Sequence, residues 1–178
     1  MSAKMRYFVI FLLITIGSFA HASEQACGEE ALLAPIRSLV QEKYPNWRIV
    51  QVPNLRSADQ ALWRKSHHTQ CPGLVSGHFE SDTAESYAIT LFRKDQKLRQ
   101  VLIVVTMEGS APRLHVLSPV QEVAFLSVIS KLPPGRYPDA EGKPFKIGKE
   151  SISYEAIEAG AVMYFYRNGV YQSLQSSE

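Results

Sequence analysis

The stretch Leu98-Arg99-Gln100-Val101-Leu102-Ile103-Val104-Val105-Thr106-Met107 decides the fold. Its centre, Val101 to Val105, is apolar without a break. Side chains alternate across a strand, so an unbroken apolar run leaves neither face suited to water. Such a strand has to sit centrally, with a layer of structure on each side. Asp95-Gln96-Lys97 suits a hairpin turn leading into it from Tyr87 to Phe92, and Leu74 to Phe79 is a further apolar strand. On its other side Arg113 to Leu117 alternates, with Leu114 and Val116 on one face.

Farther toward the N-terminus the period changes. Leu32, Leu33, Ile36, Leu39 and Val40 recur at helical spacing, with Arg37, Gln41, Glu42 and Lys43 opposite. Pro35 lacks an N–H, so it must lie in the first turn or kink the helix, and Tyr44-Pro45-Asn46 ends the element. Trp47 to Val52 reads as a short strand. Ser57 to Lys65 reads as a second helix, opened by Ser57 and Gln60 as an S-x-x-Q capping box.

The C-terminal part is β-rich. Ser151 to Glu155 and Ala161 to Tyr166 are strands, and Asn168-Gly169 is a strong type I′ hairpin signal returning the chain through Val170 to Leu174. Residues 118–132 are ambiguous. Ser118, Pro119 and Gln121 resemble a capped helix start, while Phe125 to Leu132 reads as a strand ending at Pro133-Pro134-Gly135, so a turn of helix followed by a strand is expected. Helices early and strands late give an α+β domain, in which an N-terminal helix and a short second helix pack on a mainly antiparallel β-sheet.

Residues 1–22 read as a cleavable signal peptide: Lys4 and Arg6, an apolar run from Tyr7 to Phe19, then Ala20-His21-Ala22, with cleavage expected before Ser23. The apolar run is shorter than the ~20 residues that span a bilayer. Removing 22 of 178 residues leaves a single globular domain, 23–178, expected to be soluble and periplasmic or secreted, without membrane insertion after cleavage. Lys4 and Arg6 leave with the signal, so 19 basic residues become 17 against 17 acidic. That balance removes the electrostatic support for nucleic acid as a partner. Two cysteines, Cys27 and Cys71, allow one intramolecular pairing, and export to an oxidising compartment favours their forming a structural disulfide.

Motifs for catalysis are missing. Gly-x-Ser-x-Gly, a Gly-rich phosphate loop and His-Glu-x-x-His do not occur. His67, His68, His78 and His115 show no zinc-ligand spacing. One segment carries a resemblance. Gly77-His78-Phe79-Glu80-Ser81-Asp82-Thr83-Ala84-Glu85-Ser86-Tyr87-Ala88 resembles the calcium-binding loop of FG-GAP-type repeats, in which acidic residues between two strands hold the ion. Together with Cys71-Pro72-Gly73, Pro133-Pro134-Gly135-x-Tyr137 and the aromatic C-terminal hairpin, the chain is similar to small exported bacterial proteins that carry one such loop. The resemblance implies calcium as the ion, with Glu80 and Asp82 as the surviving charged ligands. His78 and Ser86 stand where the first and last acidic ligands belong, and Thr83 where a glycine permits the turn.

Tyr154, Tyr164, Phe165, Tyr166 and Tyr171 crowd the last strands. Tyr164, Tyr166 and Tyr171 form the candidate binding surface, since tyrosine offers apolar area and a hydroxyl together. The composite expectation is an exported, non-enzymatic binding protein, an inhibitor or immunity-type partner of an envelope-active enzyme. The alternatives are a hydrolase acting on an envelope substrate through an unrecognised site, and a structural calcium-loop module.

Overall fold

A computed structural model describes residues 27–139 and 141–176. The signal reading of 1–22 and the expected cleavage before Ser23 lie outside the described residues. The described chain is mostly antiparallel sheet with two helices. After a 3-10 turn at Glu29–Ala31 come α1 (Ala34–Lys43), β1 (Arg48–Ile49), α2 (Ser57–His67), β2 (Leu74–Gly77), β3 (Ser86–Lys94) and β4 (Leu98–Glu108). Then follow β5 (Ala111–Glu122), β6 (Val128–Leu132), β7 (Gly135–Pro138), β8 (Pro144–Ile147), β9 (Ser151–Ala156), β10 (Gly160–Arg167) and β11 (Val170–Ser176).

The strands make two main sheets rather than one. The first has the order β1-β3-β4-β5, with β2 also on the outer edge of β3; the second has the order β11-β10-β9-β6; and β7-β8 is a separate hairpin. β4 is central, as its sequence requires: Val101 to Val105 are each 0% exposed. Its odd residues, Val101, Ile103 and Val105, pack with Leu32, Ile36 and Val40 of the α1 region. Its even residues, Leu102 and Val104, pack with Ile129, Ile152 and Tyr154 of the second sheet. The far face of the second sheet is covered in turn, where Met163 and Phe165 meet Tyr137, Phe145 and Ile147 of the β7-β8 hairpin. The layers thus run helix, sheet, sheet, hairpin. α2 closes one end of the sandwich, where Trp63 packs with Phe92, Val128 and Ile157.

Three successive residues, Cys71-Pro72-Gly73, tie separate parts together. Cys71 forms the disulfide with Cys27 across 44 positions, a constraint worth about 4 kcal/mol in the chain-entropy account. The Pro72 carbonyl accepts the Ile129 N–H at 2.8 Å, joining the sheets along their β2–β6 side. Gly73 lies against the Val50 backbone, so closely that a Cβ would stand 2.4 Å from the Val50 carbonyl oxygen.

Several local expectations change. Residues 118–122 are not helical but continue β5. Strand β5 has register shifts opposite Gln100, Leu102 and Ile103. Pro119 falls in this bulged part of an edge strand, where a missing N–H is tolerated. The Ser57 capping box is absent: Arg56 occupies the cap position, and the Gln60 side chain donates to the Leu55 carbonyl. Arg56 instead holds the buried Asp59 of the first turn through two bonds of 2.6 and 2.9 Å. The Asn168-Gly169 hairpin is as read, with φ of 54° and 84°.

Gln100 is the polar exception in β4, 0% exposed. Its amide donates to the Ser127 carbonyl at 2.7 Å and accepts the Ser127 N–H at 2.9 Å, so it acts as one more rung of backbone pairing. Gln100→Leu leaves both Ser127 groups unpaired. Each buried orphan costs roughly 1–3 kcal/mol, so a loss of about 2–4 kcal/mol is expected. Urea denaturation, with an unchanged slope and a lowered midpoint, checks it.

Candidate functional site

The acidic segment His78 to Glu85 links β2 to β3 at the end of the sandwich opposite α2. Phe79, 0% exposed, anchors it between the two sheets. Gly77 lets it approach the second sheet, because a Cβ there would meet the Glu150 carboxylate at 2.6 Å and the Phe79 ring at 2.9 Å. Glu150 accepts the His78 N–H at 2.6 Å and pairs with Lys131 at 3.1 Å. Ser81 closes the turn by accepting the Ala84 N–H.

Glu80 and Asp82 are held by different cations in different surroundings. The Glu80 side chain is 4% exposed and its Oε2 lies 2.5 Å from Arg113 Nη2, while Oε1 faces His115 Nε2 at 3.7 Å. Arg113 also meets Glu108 at 2.9 Å. Asp82, 87% exposed, pairs outward with Lys149 at 2.9 Å. Among the described residues, no group of three or more His, Cys, Asp or Glu side chains is arranged to hold a metal ion. Calcium takes six to eight oxygens; here the two carboxylates that the resemblance singles out are already neutralised by Arg113 and Lys149.

The three tyrosines are each half-buried rather than fully outward. In register, Tyr164 is opposite Ile152 and Tyr166 opposite Tyr171, and this face of the hairpin looks toward the first sheet. Tyr164 and Tyr171 pack against the inter-sheet core. Tyr171 meets the His115 ring edge-on at 5.5 Å between centroids and Tyr166 at 5.1 Å. Burial, then the neighbouring Glu80 carboxylate, pushes the Tyr171 hydroxyl well above its usual pKa. Tyr166 also lines an open groove. The half-burial is a matter of packing: the opposite face carries Met163 and Phe165, which the β7-β8 hairpin already covers.

That groove, of about 510 Å³, lies between the segment Lys146 to Lys149 and the end of the C-terminal hairpin, with Glu80 on its wall. Lys146, Lys149 and Arg167 line it. Lys149 is paired with Asp82, whereas Arg167 lies 5.9 Å over the Phe145 ring. Lys146 is exposed and stands directly across the β7-β8 ladder from the exposed Arg136. Like charges placed opposite one another repel, so this edge of the groove has cationic charge in excess. Sequence reading missed these residues because it missed β7-β8. A signal was there: Asp139-x-Glu141-Gly142 between Tyr137 and Phe145 is a turn, in which Asp139 accepts the N–H groups of Glu141 and Lys143 and Gly142 takes φ 76°.

Comparison with protein-family models, with characterised proteins and with solved structures finds no match to this chain.

Two outcomes test this description of the loop. Millimolar calcium should leave the melting temperature unchanged, since a ligand of the folded state alone would raise it; a clear rise that disappears in Asp82→Ala would restore the calcium reading. Acid should loosen the loop. The His78 N–H, then Lys131, holds the Glu150 carboxyl below its ordinary pKa, and Lys149 does the same for Asp82. A depressed carboxylate pKa contributes stability that is complete above the ordinary carboxylate range and is lost as pH falls through the depressed value. Hydrogen-exchange protection of the His78 amide should therefore persist through the ordinary carboxylate range and fall below it, and Glu150→Gln should lower it at neutral pH.

Proposed function

We propose that the chain is an exported, non-enzymatic binding protein, periplasmic or secreted, which takes an anionic segment of an envelope protein into the groove between β8 and the C-terminal hairpin. The observation that carries this reading is the charge of that groove. Lys146 and Arg167 line it, Arg136 stands beside Lys146, the third lining cation, Lys149, is paired with Asp82, and the acid on its wall, Glu80, is already neutralised by Arg113. Its volume falls within the roughly 300–1,000 Å³ of small-ligand and anchor-residue sites. Tyr166, beside Arg167, adds an amphipathic ring of the kind enriched at recognition surfaces. In this reading the FG-GAP-like loop is a brace: it fixes the two sheets at the end where the groove opens.

A 44-residue separation closed by the disulfide, and the absence among the described residues of any helix long and apolar enough to cross a membrane, accord with an exported domain. An inhibitor or immunity-type partner that holds an acidic segment of an envelope-active enzyme needs a rigid cationic cleft and no chemistry at the contact.

The test uses a fluorescein-labelled oligoglutamate peptide with a terminal tyrosine as the probe. Binding to the unaltered protein should weaken as salt is raised, because exposed charges are screened within a Debye length of about 8 Å at physiological ionic strength. Lys146→Glu with Arg167→Glu should weaken it by about tenfold or more, equivalent to at least about 1.4 kcal/mol. Equal affinity for the double variant, or equal affinity for an oligolysine peptide, would sink the proposal. Turnover of an envelope substrate by the unaltered protein would favour the hydrolase reading.

A further inference from the structure

A second surface, on the opposite side of the sandwich, differs from the cationic groove in its chemistry. Two clefts of about 360 and 350 Å³ adjoin at Glu29 and Arg48, which line both, and together make a two-part trough. It runs from the end of α1 and the turn before β1 to the Gln51–Asn54 turn. We propose that this trough binds an oligosaccharide. The proposal does not rest on the anionic-segment reading, which concerns other residues.

The trough is assembled by constraints already described. The Cys27–Cys71 disulfide sets the Glu29–Ala31 turn beside α1, and there Gln41 Nε2 donates to Glu29 Oε2 at 2.7 Å. Asn46, at φ 67°, bends the chain so that Trp47 N–H returns to the Tyr44 carbonyl. This brings the Tyr44 and Trp47 rings edge to face, 5.9 Å between centroids. The Arg93 guanidinium, 5.6 Å from the Trp47 ring centre, holds the indole in place.

The lining fits sugar chemistry. A pyranose has a C–H face that packs on an aromatic ring, and rows of hydroxyls that each donate and accept. Tyr44 and Trp47 supply the aromatic surface. Arg48, together with the donors and lone pairs left over by the Gln41–Glu29 bond and by Asn54, whose Oδ1 accepts the Gln51 N–H, supplies polar groups for hydroxyls. Both signs of charge are present, with Glu29 and Glu30 outnumbering Arg48 among the lining residues, so the trough does not favour an anion. A neutral polyhydroxyl ligand meets this lining better than the polyanion suited to the other groove. Each cleft alone reaches the size of a small-molecule site, about 300 Å³ or more, so the whole trough takes a chain of sugars rather than one ring.

Tryptophan fluorescence is the direct readout. Trp63 is buried at 2% exposure, so a surface ligand acts on the emission of the half-buried Trp47. The mature protein is titrated with a β-1,4-linked N-acetylglucosamine tetrasaccharide and with maltotetraose. A saturable change with one of them, weaker by about tenfold with the corresponding single sugar, is expected. Trp47 also packs on the core, so the deciding variant is Gln41→Ala, an exposed helical position. With an unchanged melting temperature it should weaken binding several-fold, while Lys146→Glu with Arg167→Glu leaves binding intact. No saturable change with either tetrasaccharide at millimolar concentration overturns the proposal, as does saturable binding that Gln41→Ala leaves untouched.

Discussion

Val101 to Val105 gives water no face, and that single constraint orders the rest of the molecule. Five consecutive apolar residues on a strand bury side chains up and down by turns, so material is needed on both sides. α1 answers on one side, with Ile36 and Val40 against Val101, Ile103 and Val105. The second sheet answers on the other, with Ile129 and Ile152 against Leu102 and Val104. The second sheet, now between layers itself, has an outward apolar face of Met163 and Phe165, and the β7-β8 hairpin exists to cover it. Each layer is required by the one beneath it.

Layers held only by apolar contact could slide, and polar ties stop them. The Pro72 carbonyl accepting the Ile129 N–H fixes one sheet against the other, and the Gln100–Ser127 pair fixes β4 against the chain entering β6. Both ties are buried, where a mispaired donor or acceptor is costly and register is therefore strict. At the far end the same task falls to charge, through Glu150 with the His78 N–H and Asp82 with Lys149.

How much of this was legible depended on whether the signal was local. The run at Val101, the helix carrying Ile36, Leu39 and Val40, the turn at Asp95 and the Asn168-Gly169 hairpin are decided within a few residues and appear where the sequence puts them, although Leu32 and Leu33 precede the helix rather than belong to it. Ser118-Pro119 was misread because a proline at the first turn of a helix and a proline at a bulge in an edge strand look alike locally; only the register with Gln100 and Leu102 separates them. The split into two sheets was likewise out of reach, since strand count and alternation do not say which strand ends a sheet. The tyrosines show the same limit. Their sharing one face follows from alternation, but which face looks inward depends on β7-β8 covering the other.

The candidate site turned on a related distinction, between charge that is spent and charge that is not. Glu80 and Asp82 draw the eye in sequence because acidic residues gathered between strands suggest an ion. Folded, each has a cation of its own, contributed by Arg113 in β5 and by Lys149 before β9, residues 33 and 67 positions away. Lys146, Arg136 and Arg167 are unremarkable in sequence, yet Lys146 and Arg136 stand directly opposed across a ladder and Arg167 lines the groove with Lys146. Repulsion between neighbouring like charges is tolerated in a folded surface when something else is gained. An anion entering the groove would relieve that repulsion as it binds, so the same lysine and arginines that cost the free protein stability would contribute to affinity.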